Sequence, residues 1–180
     1  MEYFLDTLIE ALSLKRVPRT GWCMRGVETP ESVADHSWGT ALLVLMCAPA
    51  GLDVSRALAM ATVHDLAEAR VGDIPWNPAG VGQQDKEAQE RRAIAELARD
   101  PATRGLWEEY TAGTTREAQF VRDMNLLDMC FQALHYESTY REEHGHNSRH
   151  FAEFFTSTEA RLCTSEGQDL FTQLRQRYDG

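Results

Sequence analysis

Positive charge is scarce in this chain. Eighteen Lys and Arg stand against 28 Asp and Glu in 180 residues, a formal net charge of −10. Such an acidic excess repels phosphate backbones and excludes a module for duplex nucleic acid. It leaves room for a small phosphorylated substrate, because a local metal or arginine outweighs the global field. Cysteine is sparse too. Cys23, Cys47, Cys130 and Cys163 lie far apart with no CxxC pair, and they read as free thiols, with Cys47 and Cys130 inside apolar runs. The amino terminus, MEYFLDTLIEALSLKR, carries early acids and no long apolar block. It is neither a signal peptide nor a membrane span, so a cytoplasmic, reducing location without a membrane partner is expected. There is no alternating strand of useful length, no internal repeat, no low-complexity tract and no linker. With 43% hydrophobic and 26% charged residues, the chain is expected to fold as one all-α domain over residues 1–180.

Helical signals fill most of the length. Phe4, Leu5, Leu8, Ile9 and Leu12 recur at helical spacing before Pro18 and Gly21 break the pattern. Ser32 and Asp35 are candidate caps for the nearly apolar run HSWGTALLVLMC, which predicts a buried central helix over 36–47. Asp53 or Ser55 can cap the next helix, VSRALAMATVHDLAEAR, which stops at Gly72. A charged helix is expected over 83–99 and a short one near Leu106–Tyr110. A long helix should start at Thr114 or Thr115 and run to about residue 143, and two short helices should finish the chain. QQDKEAQERR reads as a solvated face, Met124, Leu127 and Phe131 read as core, and HGHNSRH reads as a polar loop.

The chemistry concentrates in VHDLAEARVGDIPW, residues 63–76. His64 and Asp65 are adjacent, Glu68 is one helical turn from His64, and Asp73 follows a glycine. A carboxylate on an apolar helix needs a partner, and a divalent cation satisfies an adjacent imidazole and carboxylate together. His36 opens the other apolar helix and is a second candidate ligand. An acid or amide near position 125 on the long helix would complete two histidines and two oxygens. Such a shell, with positions left for water, suits metal-assisted hydrolysis. Arg16, Arg19 and Arg25 flank KRVPRTGW, and arginine forks suit phosphate oxygens, Arg19 above all. Trp22 can wall a base or anchor the core. Pro75 and Trp76 can close a pocket over a sugar.

ESVADHSWG, HDLAEARVGDIP, EAQFVRDMNLLDMCFQALHYE and KRVPRTGW resemble, in order and spacing, the HD-domain metal-dependent phosphohydrolases. The nearest branch is the small bacterial 5'-deoxynucleotidases and their eukaryotic relatives, over about residues 5–160. The resemblance implies an HD-type all-α bundle with a metal in its core, commonly a homodimer or higher homo-oligomer. It implies removal of the 5'-phosphate from (deoxy)nucleoside monophosphates with Co, Mn, Zn, Mg or Fe. It places metal ligands at His36, His64, Asp65 and position 125, Glu68 on the attacking water, and Asp73 on the leaving oxygen or its donor.

One position departs. The family carries aspartate where VRDMN puts Asn125. An amide oxygen coordinates but is neutral, so metal binding should weaken. Asp123 should face away, and Asp128 lies one turn on. Three readings stay open. The chain is an Asp-to-Asn variant made to hold substrate, the reading slightly favoured, or a natural variant working through Asn125 or Asp128, or a degenerate binding module, which the otherwise intact motif disfavours. A dNTP triphosphohydrolase, such as a phage-type dATPase, is the alternative enzyme.

Overall fold

The computed structural model describes residues 2–75, 83–144 and 149–180. Helices α1 (Glu2–Ala11), α2 (Thr20–Cys23), α3 (Val33–Cys47), α4 (Val54–Val63), α5 (Glu68–Val71), α6 (Gln83–Leu97), α7 (Pro101–Ala112), α8 (Arg116–His144), α9 (Ala152–Glu159) and α10 (Ser165–Asp179) follow in order, with a 3₁₀ turn at Leu12–Arg16. Among the described residues there is no strand, only an isolated bridge between Pro18 and Ser32.

The caps are largely those the sequence announces. Ser32 Oγ accepts from the Asp35 N–H while the Asp35 carboxylate accepts from the Ser32 N–H, a reciprocal box that starts α3. Asp53 caps α4 by accepting from the Arg56 N–H, and Asp100 does the same for α7 from Thr103. Pro101 at the start of α7 and Gly113 beyond its end, at φ 63°, fit their positions.

Helices α3, α4 and α8 pack around one core that includes Trp22, Val44, Met60, Phe120, Met124, Leu127, Phe155 and Tyr178. A smaller core under α5–α7 gathers Ala67, Ile94, Leu97 and Trp107. α10 is keyed to α8 by Asp123. Its buried carboxylate accepts from the backbone N–H groups of Cys163 and Thr164, so Asp123 does face away from the His64 region.

Several expectations change. α3 is not buried all round, because Trp38, Leu42, Leu45 and Met46 form an exposed stripe opposite His36. The α1 residues Phe4, Leu5, Leu8, Ile9 and Leu12 are exposed as well, and so is Phe131. The helix expected through Gly72 breaks after Val63. Leu66, Glu68 and Ala69 donate to carbonyls three residues back, not four, so residues 64–67 form a tight turn before α5. α7 and α10 are longer than expected. In α6, Lys86 and Glu90 are largely covered, with side chains 17% and 19% exposed. They turn inward rather than into solvent. The polar loop HGHNSRH lies partly outside the described residues.

Candidate metal centre

The tight turn after α4 meets the start of α3 and the middle of α8 at one buried point. His36 and His64 are 0% and 3% exposed. His64 Nδ1 lies 2.8 Å from the Ala61 carbonyl oxygen, and His36 Nδ1 lies 2.7 Å from Asp128 Oδ2. The Ala61 carbonyl only accepts, so His64 donates its Nδ1–H and keeps its lone pair on Nε2, and the Asp128 carboxylate when ionised holds His36 the same way. The two Nε2 atoms then face each other at 3.4 Å. Asp65 Oδ2 joins them, 3.1 Å from His64 Nε2 and 3.6 Å from His36 Nε2.

Three lone pairs aimed at one point repel unless a cation sits between them. Donors of a tetrahedral ion, each about 2.1 Å from it, are roughly 3.4 Å apart. The observed separations bracket that value, so His36, His64 and Asp65 fit a divalent cation without rearrangement. Burial opposes the charged form of His64, but the Asp65 carboxylate and the Ala61 carbonyl hold it above the ordinary imidazole range, a place that a cation takes over when bound. Burial and the Arg19 charge push the His36 imidazolium down to about 3, so the ring is neutral. Burial opposes ionisation of Asp65, but His64, His36 and Arg19 beside it hold its carboxyl below the usual range.

Glu68 stands at the edge of this cluster, 4% exposed, and its Oε2 has no hydrogen-bond partner. Burial, with the charges of Asp65 and Asp73, pushes its carboxyl up to about 10. A buried, unpaired oxygen beside a cation-shaped cluster is the signature of a group awaiting a ligand. Asp73 is held differently. Its Oδ2 accepts from the Thr20 N–H at 2.6 Å, its Oδ1 accepts from Arg19 Nη1 at 3.3 Å, and its carbonyl accepts from Thr20 Oγ1 at 2.7 Å. Both carboxylate oxygens accept, which suits an anion that orients Arg19 better than a proton donor. Arg19 also reaches within 3.8 Å of Asp65 Oδ2.

Asn125 is brought alongside the cluster without joining it. Its Nδ2 donates to Tyr110 Oη at 2.5 Å, and the Tyr110 ring packs edge-on to His64, 5.1 Å between centroids. Asp128 lies behind His36, on the nitrogen that faces away from Asp65, so it is not a substitute for position 125 in the same shell.

Other expected contacts are corrected. Trp22 is 2% exposed, packs against Tyr136, Phe151 and Phe154, and donates its indole N–H to Glu31. It is a core anchor and offers no face to a base. Arg25 pairs with Glu153 on the surface, because α9 brings that acid alongside it. Arg16 is exposed at the end of the 3₁₀ turn, whose last residues point outward. Of the three arginines, Arg19 alone faces the cluster. Pro75 is exposed, and Trp76 lies outside the described residues.

Four residues were not legible as site groups: Thr20, Lys86, Tyr110 and Glu90. Thr20 acts mainly through its backbone, which no side-chain pattern reveals. Lys86 and Glu90 look like an ordinary i,i+4 surface pair. Tyr110 sits in a helix with nothing to distinguish it from a packing aromatic.

A 5'-deoxynucleotidase HDDC2 from Danio rerio is 37% identical over 183 residues, covering 96% of this chain and 88% of that protein. The protein of the same name from Homo sapiens is 33% identical, covering 89% and 79%. The crystal structure of the PH0347 protein from Pyrococcus horikoshii OT3 superposes with a TM-score of 0.79 at 33% identity, over 96% of this chain and 99% of that one. The fold is shared with the cyanophage S-2L HD phosphohydrolase DatZ, solved bound to dA and one catalytic Zn²⁺ ion, at 20% identity and a TM-score of 0.62 over 94% and 95%. The HD domain model matches residues 11–165, which span every residue of the cluster, and the chain belongs to the HD domain family.

Proposed function

We propose that the chain is a metal-dependent phosphohydrolase that removes the 5'-phosphate from deoxynucleoside monophosphates, folded as one HD-type unit over residues 1–180. The observation that carries the reading is the convergence of His36 Nε2, His64 Nε2 and Asp65 Oδ2 beside the unpartnered Glu68 carboxyl. The names of the relatives point to the same activity. In this reading His36, His64 and Asp65 hold the metal (Co, Mn, Zn, Mg or Fe), and Asn125 presents its amide oxygen while Nδ2 stays on Tyr110. A divalent cation there supplies Lewis acidity and a more acidic bound water.

The chain's own groups do the rest. With a cation beside it to hold its carboxyl ionised, Glu68 takes a proton from the attacking water. Arg19, oriented by Asp73, binds a phosphate oxygen. Asp65 carries the single formal negative charge among the proposed ligands. Retention of Glu68 and Asp73 favours a working site, or one disabled at Asn125 alone, over a degenerate module.

Phosphate release from a panel of dNMPs, NMPs and dNTPs with cobalt, manganese or zinc tests the reading. Orthophosphate from dNMPs is expected. Tripolyphosphate from a dNTP would replace this reading with the triphosphohydrolase. Binding with no hydrolysis, even after Asn125→Asp, would leave a nucleotide-binding module.

The exposed stripes on α1 and α3 support a homodimer. Light scattering should give twice the chain mass, and Trp38→Glu with Met46→Glu should give a monomer. Four free cysteines support a cytoplasmic setting. No helix among the described residues is long and apolar enough to cross a membrane.

A further inference from the structure

The surroundings of Asp65 are rich in carboxyl groups. Asp65 and Asp73 both sit against Arg19, and burial holds the neighbouring Glu68, Glu31 and Glu90 carboxyls above the usual range. A phosphate monoester brings about −1.5 to −2 more. Among the described residues, Arg19 and Lys86 are the cations whose charge reaches Glu68. Arg19 is already divided between Asp65 and Asp73.

The second is Lys86, on the helix whose sequence looks solvated. Its Nζ donates to the Ile74 carbonyl at 2.6 Å and lies 3.5 Å from Glu90 Oε1. Ile74 directly follows Asp73, so the ammonium stands on the rim beside the Arg19–Asp73 pair. Its charge reaches Glu68. An ammonium has three donors. Lys86 uses one on a neutral carbonyl and leans another toward Glu90, which leaves one uncommitted among the described residues.

We propose that Lys86 is a substrate-binding residue whose ammonium, stationed by Ile74 and Glu90, donates to a non-bridging oxygen of the 5'-phosphate. Arg19 and Lys86 then grip the phosphoryl group from two sides. The inference rests on the phosphohydrolase reading for the identity of the ester, but the grip on phosphate itself is open to direct measurement. The competing role is mechanical: Lys86 could serve only to pin Ile74, and with it Asp73.

The test uses manganese-loaded protein, wild type, Lys86→Met and Lys86→Arg. Binding of inorganic phosphate and of deoxyadenosine is measured by calorimetry, with the melting temperature and KM for dAMP alongside. Lys86→Met should weaken phosphate binding and raise KM at least about tenfold. Deoxyadenosine binding and the melting temperature should hold, and Lys86→Arg should recover most of the loss. Unchanged phosphate binding in Lys86→Met overturns the proposal. So does a joint loss of phosphate binding, deoxyadenosine binding and melting temperature, which is the signature of a pin. Absence of phosphate binding by the wild type also overturns it. If the wild type binds phosphate but hydrolyses no dNMP, the nucleotidase reading fails and the phosphate comparison still decides the role of Lys86.

Discussion

Asp128 stands directly behind His36, its Oδ2 2.7 Å from Nδ1, while the opposite ring nitrogen faces His64 and Asp65. Gly39 makes room for it: a Cβ at that position would collide with the Asp128 carboxylate. The carboxylate fixes both the tautomer and the tilt of the ring. Replacing Asp128 with Asn should lower metal affinity by about 10- to 100-fold without unfolding the helices. Gly39→Ala, which displaces the same carboxylate, should act in the same direction. Competition with a chelator, read beside circular dichroism, measures both. Unaltered affinity in Asp128→Asn would show that His36 needs no support from behind.

Position 125 can be tested by restoring charge. Asn125→Asp puts a second carboxylate at the centre, and Tyr110, now donating its hydroxyl, can still hold the side chain. Metal affinity should rise at least about tenfold, since ligand charge tunes the affinity of oxygen-rich sites. Phosphate release from dNMPs should rise with it. Equal turnover by both forms would mean that a neutral amide suffices.

Much of this centre was legible because it is local. His64, Asp65, Glu68 and Asp73 fall within ten residues, and His36 follows a cap that Ser32 and Asp35 announce. What the sequence concealed was which partner each side chain would choose. Asn125 and Asp128 are one turn apart on α8, and a difference of a few ångströms sends one to Tyr110 and the other to His36 Nδ1. Trp22 was ambiguous because an indole suits a base and a core equally, and tertiary packing decided for the core. The outward stripe on α3 was hidden because an apolar run does not say whether one face or both are covered.

Glu68 should matter for turnover alone. Glu68→Gln keeps the size of the side chain but not a carboxylate that accepts a proton. It is expected to cost about 10²–10⁴-fold in kcat while metal affinity holds within a few-fold. Steady-state kinetics beside metal titration separates the two. A Gln variant at full speed would remove Glu68 from the chemistry.

Trp22 should matter for stability alone. Trp22→Ala is expected to cost about 3–5 kcal/mol, from lost burial and an unfilled space between Phe151, Phe154 and Tyr136. Trp22→Phe, which keeps most of the packing, should leave the ranking of dNMP bases unchanged. Urea denaturation and a base panel check these two statements, and a reordered base preference in Trp22→Phe would return the indole to the pocket.

The tight winding of residues 64–67 has a consequence for anyone borrowing this centre. The backbone bonds there reach back three residues, and that overwinding stacks Asp65 and Glu68, three apart, on one face beside His64. The histidine–aspartate pair is therefore not a portable dipeptide. Grafted onto a regular α-helix, the carboxyls of Asp65 and Glu68 would be offset by about 60° around the axis. A transplant must carry the whole four-residue turn at its native length, and a single inserted residue should abolish it.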